Sequence, residues 1–76
     1  MDHEPQRVAF RMMEMEFEWH SADAELHVRA GDAVPALLEL IRSVILDSSS
    51  GGVPAIVAVE RASRRLAQHI ADLRIL

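Results

Sequence analysis

From Met13 to His20 the chain reads Met-Glu-Met-Glu-Phe-Glu-Trp-His, with large apolar residues alternating strictly with charged or ionisable ones. A period of two sets Met13, Met15, Phe17 and Trp19 on one side of an extended strand and Glu14, Glu16, Glu18 and His20 on the other. Such a strand buries one face and keeps the other in water. Ala24 to Arg29 repeats the rhythm, with Ala24, Leu26 and Val28 set against Glu25, His27 and Arg29. The alternation is already visible in Val8, Phe10 and Met12, and the adjacent Met12 and Met13 shift its parity, so a β-bulge is expected there. Residues 7–30 therefore read as a β-hairpin turning at His20–Asp23, a segment without the Asn-Gly or Asp-Gly that marks the tightest turns.

The same stretch contains good helix formers. Wound as a helix, it would place Val8, Met12, Met15, Trp19, Ala22 and Leu26 on a coiled-coil seam. Phe10, Met13, Phe17, Ala24 and Val28 would then form a second apolar stripe opposite the first, so an all-α three-helix bundle needs two partner surfaces where a strand needs one.

Beyond Gly31 the period changes. Asp32 is a plausible N-cap with Pro35 in the first turn, and Val34, Leu37, Leu38, Ile41, Val44 and Ile45 recur at helical spacing, predicting a helix over 32–47. Leu40 and Leu46 fall outside that stripe, so this helix is more apolar than one sheet face can cover. Residues 48–52, Ser-Ser-Ser-Gly-Gly, form a loop. A second helix is expected over 53–74, with Ile56, Val59, Ser63, Leu66, Ile70 and Leu73 inward and Glu60, Arg61, Arg64, Arg65, Gln68 and Asp72 outward. Residues 1–6 read as a frayed end. The expected architecture is thus one small α+β domain over 1–76, a β-hairpin packed on a helical hairpin (ββαα).

At 76 residues a single core offsets conformational entropy only narrowly, and with no cysteine neither disulfides nor a thiolate zinc site can add to it. Half of the residues are hydrophobic, which makes oligomerisation a natural outlet for apolar surface. Residues 1–30 carry seven acidic residues against three arginines, while residues 31–76 carry five of each, so the net charge of −4 resides in the N-terminal part and disfavours nucleic acid. Every cation is arginine, which points to a GC-rich bacterial coding bias. Nothing resembles a signal peptide or a membrane span, so a cytoplasmic location without membrane attachment is expected.

Few side chains have the composition of a chemical site. Glu16, His20, Asp23 and His27 are the one set with metal-ligand character, against the plainer reading that they are polar cross-strand neighbours in water. Ser48, Ser49 and Ser50 lack the Gly-Lys-Ser/Thr ending of a phosphate loop and the flanking glycines of a nucleophile elbow. Arg61, Arg64 and Arg65 form a basic patch opposite in sign to the glutamate row, and Glu60 and Arg64 lie one turn apart.

In its order of elements, the strand at 24–29 followed by helices from Asp32 and Pro54 resembles the ribbon-helix-helix repressors, which implies a DNA-binding regulator of strand-helix-helix type. The side chains that would read bases are Glu25, His27 and Arg29, preceded by glutamates, a departure from the basic or amide groups that base edges favour.

The sequence therefore points to a non-enzymatic protein–protein interaction module that needs no cofactor, self-associates or binds another protein, and acts as a regulatory, inhibitor or adaptor subunit. A DNA-binding regulator and a His/carboxylate metal protein are the alternatives. The expected interface residues are Leu40, Leu46, Phe17, Trp19, Arg61, Arg64 and Arg65, since aromatic and adaptable apolar side chains anchor such contacts.

Overall fold

The computed structural model describes residues 5–76. The elements follow in the order β1 (Arg7–Met12), β2 (Met15–His20), β3 (Glu25–Ala30), α1 (Pro35–Ser48), α2 (Ala55–Ala67) and β4 (Leu73–Ile75). The strands form one antiparallel sheet in the order β3-β2-β1-β4, and the helices pack against one face of it. The architecture is α+β, as the alternation requires, and the three-helix alternative is excluded.

The segment 7–30 holds three strands rather than two. The parity shift at Met12–Met13 is a tight turn, not a bulge: Met13 and Glu14 take φ of 51° and 61°, the left-handed pair that joins antiparallel strands with matching twist. Because Met12 pairs with Met15, the two-residue turn returns Met15, Phe17 and Trp19 to the face that carries Val8, Phe10 and Met12. The second turn, through Ser21–Ala24, lies close to where the alternation breaks. A bulge does occur, but between β2 and β3, where Phe17 opposes Val28 and Glu16 opposes Ala30. Just past this strand, Gly31 takes φ +81°, and a Cβ on it would meet the Met15 side chain at 3.0 Å.

The helix α1 begins at Pro35 rather than Asp32. A residue before proline is driven to extended backbone, and Val34, at φ −66° and ψ 133°, occupies the N-cap position without a side-chain cap. The second helix ends at Ala67, well short of the expected 53–74. His69 and Ile70 both turn back to the Leu66 carbonyl at 2.8 and 2.7 Å, after which Leu73–Ile75 pairs with the otherwise open edge of β1. Ile70 and Leu73 thus reach the core from a turn and a strand, not from a helix.

The buried stripe of α2 also differs in phase from the expected one. Ala55, Ala58, Val59, Ala62 and Leu66 face inward, while Ile56 is exposed. Alanines let the helix axis approach the sheet and α1 closely, so the small residues take the contact that hydrophobicity alone would give to Ile56. The core comprises these residues with Val8, Phe10, Met12, Phe17, Trp19, Ile41 and Ile45.

Residues 1–4 of the expected frayed end lie outside the described residues, but Gln6 is tied down. Its carbonyl accepts from Ser21 N (2.9 Å), its N–H donates to Ser21 Oγ (2.7 Å), and its side-chain Oε1 accepts from Ala55 N (2.6 Å). Pro54 offers α2 no cap, and Gln6 supplies from the sheet the acceptor that the helix start requires.

Chemical denaturation checks these assignments. Gln6→Ala should lower stability by about 1 kcal/mol, the usual worth of a helix cap. Phe17→Asp should abolish the folded state, since it places an unpaired charge at a site with no solvent exposure. Replacing Met13 and Glu14 together by Asn-Gly should raise stability by about 1 kcal/mol, because neither native residue favours positive φ.

Candidate functional site

The sheet face away from the helices is open, and it gathers most of the ionisable groups of the N-terminal half. Outward alternation brings Arg7 and Arg11 of β1, Glu16, Glu18 and His20 of β2, Glu25, His27 and Arg29 of β3 and Arg74 of β4 onto it. Arg11 Nη2 donates to Glu16 Oε1 at 3.1 Å, and His20 Nε2 lies 2.5 Å from Glu18 Oε1. Arg29 and His27 make looser pairs, Nε 3.9 Å from Glu18 Oε2 and Nε2 3.7 Å from Glu25 Oε2. The imidazoles of His20 and His27 stack with centroids 4.1 Å apart. The hydrogen bond from His20 is the main cause holding the Glu18 carboxyl below its ordinary value of 4.5, with the charges of His20, Arg29 and Arg7 adding to it and desolvation opposing it.

The aromatic groups that this face offers, among the described residues, are the stacked imidazoles of His20 and His27. Phe10, Phe17 and Trp19 all point to the helices. The same inward turn corrects the sequence expectation for two interface residues, because Phe17 (0% exposed) and Trp19 (2%) are core and cannot meet a partner.

The four metal-ligand candidates are not brought together. Glu16 engages Arg11, His20 and His27 stack on each other, and Asp23 sits in the β2–β3 turn. Among the described residues, no group of three or more His, Asp or Glu side chains is arranged to hold a metal ion. Asp23, Glu25, Leu26, Leu38, Glu39 and Arg42 line a shallow groove between that turn and α1. Across it Arg42 Nε donates to the Ala24 carbonyl at 3.0 Å, a link between helix and turn that no sequence pattern announces. In the serine run, Ser48 Oγ is buried without a hydrogen-bond partner, and Ser49 Oγ donates to the Ile45 carbonyl.

On the helical layer Arg61, Arg64 and Arg65 are exposed, and Arg65 is hydrogen-bonded to Asp47 of α1 rather than being part of a free patch. The expected Glu60–Arg64 pair does not form, and the glutamate row lies on the opposite side of the molecule. Leu40 is 52% exposed and Leu46 38%. They occupy different shoulders of α1. At 100° per residue Leu40 falls beside Asp47, which faces α2, whereas Leu46 falls nearer Arg42, which faces the β2–β3 turn.

No protein-family model matches the chain, and neither a curated protein nor a solved structure shows significant similarity to it. Among the described residues, no helix is long and apolar enough to cross a membrane.

The Glu18–His20 contact has a measurable consequence. A carboxyl depressed in the folded state contributes stability above its unfolded pKa and loses it as pH falls through the folded value. NMR titration should find Glu18 protonating below its ordinary value and rising toward it in His20→Ala. The parent should also lose more stability than His20→Ala between neutral and acid pH.

Proposed function

We propose that this chain is a non-enzymatic protein–protein interaction module that self-associates and serves as a regulatory, inhibitor or adaptor subunit. The observation that supports it is apolar surface that one copy leaves uncovered. Helix α1 fully buries only Ile41, Ile45 and Ser48 and keeps Leu40 and Leu46 in water, while Leu26 and Val28, the inward residues of β3, stay half-buried beneath it. A domain of this size gains little from exposing such groups and much from covering them with a second chain.

The open face favours the same reading over chemistry. Its carboxylates are engaged by arginine or histidine on an exposed surface, whereas a general acid needs a site that shields it from water. The helix start of α2, where an anion could sit, is occupied by the Gln6 side chain.

Self-association predicts a dimer mass by sedimentation at micromolar concentration and a melting temperature that rises with protein concentration, as mass action requires. A monomer with concentration-independent melting would overturn it.

A further inference from the structure

The sheet has two edges, and they are finished differently. The β1 edge is covered by β4, whose Leu76 N donates to the Ala9 carbonyl at 3.0 Å. Among the described residues, no strand pairs with the β3 edge. With Ala9 directed to β4 and Gln6 bonded to Ser21, the alternation of the ladder turns the backbone groups of Glu18 and His20 toward β3, where His27 and Glu25 oppose them. The N–H and C=O groups of Leu26 and Val28 therefore face outward along the free edge, a template for another strand.

The straight part of this edge is short and has a definite centre. Ala24, at φ 51°, bends the chain before it, and the bulge whose extra residue is Arg29, between Val28 and Ala30, bends it at its other end. What remains is Glu25-Leu26-His27-Val28-Arg29, which is self-complementary when reversed about His27. Glu25 then opposes Arg29, Leu26 opposes Val28 with both backbones directed at each other, and His27 opposes its own copy at a non-hydrogen-bonded position. Moving the two-fold to Leu26 or Val28 shortens the overlap and sets His27 against Glu25 or against Arg29, so only the His27-centred register makes two carboxylate–guanidinium pairs, the stronger kind. Glu25 and Arg29 are available for them, since their contacts within one copy are the loose 3.7 and 3.9 Å approaches to His27 and Glu18.

We infer that a second copy of this chain pairs antiparallel with β3 about a two-fold axis at His27, joining two four-stranded sheets into one of eight strands. The inference rests on the self-association reading and gives it a location. On the helix side the contact covers the half-buried Leu26 and Val28 of both copies. Leu40, on the α2 shoulder of α1, lies outside it.

Charge reversal and cross-linking test the register, with circular dichroism confirming that the surface variants fold. Glu25→Arg and Arg29→Glu should each weaken the dimer about tenfold or more, since each sets like charges against one another twice. An equimolar mixture of the two should restore the dimer, because the reversals then oppose each other across the axis. The native chain has no cysteine, so His27→Cys gives a clean readout. Its Cα atoms would meet at about 4.5 Å, within disulfide range, whereas Glu25→Cys would leave them roughly 13 Å apart. Mild oxidation should cross-link the first variant and not the second, and Leu40→Glu should leave the dimer intact.

A parent dimer that survives both reversals, or that fails to cross-link through His27→Cys and dissociates with Leu40→Glu, would overturn the β3 axis and leave self-association standing. A parent that is monomeric throughout would overturn both.

Discussion

The contact between Phe10 and Phe17 holds the rest of the molecule in place. The two rings sit opposite each other on β1 and β2, stacked with centroids 5.4 Å apart, and neither is more than 1% exposed. A stacked aromatic pair directly across an antiparallel ladder is among the stronger cross-strand contacts, and removing either ring from such a core costs about 3–5 kcal/mol. It also fixes the register. With Phe10 opposite Phe17, Val8 must oppose Trp19 and Met12 must oppose Met15, leaving Met13 and Glu14 to turn with positive φ despite their preference against it. A slip of one residue would send every one of these apolar side chains to the charged face.

The helical layer follows from what that aromatic face needs. Three alanines, Val59 and Leu66 let α2 settle onto β1 and β4, and Gln6 ties the start of the helix to the end of the sheet where β1 begins. Helix α1 is left to cover β2 and β3, reaching the β2–β3 turn through Arg42 and the Ala24 carbonyl. Its cover is incomplete, since Leu26 and Val28 remain half-buried and, among the described residues, the outer edge of β3 has no strand beside it. The apolar surfaces left uncovered are therefore those the packing could not reach, while the opposite face of the sheet has its charges largely paired.

The stretch from Val8 to Val28 shows how far local pattern reaches. Which side chains are inward was legible within the strands, because a period of two has only one geometric meaning, whereas Met13, expected beside Met15, Phe17 and Trp19, sits in the turn and is 53% exposed. The number of strands was not, because the turn at Met13–Glu14 uses residues that signal no turn and is imposed by the pairing around it. The candidate site was legible as a set of surface residues and no further. Leu40 and Leu46 are exposed as their place outside the apolar stripe implied, whereas Phe17 and Trp19, large enough to anchor an interface, are consumed by the core.

By itself the sequence determined the class of fold, the loop at the glycines and the division of the strands into an apolar and a charged face, since each depends on periodicity or on backbone freedom within a few residues. Only the tertiary structure decided where the second helix stops, which face it buries and who caps it. Nothing local ends a helix at Ala67; the unpaired edge of β1 draws Leu73–Ile75 into the sheet and the helix gives way. The alanine stripe prevails over Ile56 because close approach of two surfaces rewards small residues, and that approach exists only once sheet and helices have met. The place of β3 at the edge of the sheet is likewise a property of strand order, which no single segment of the chain encodes.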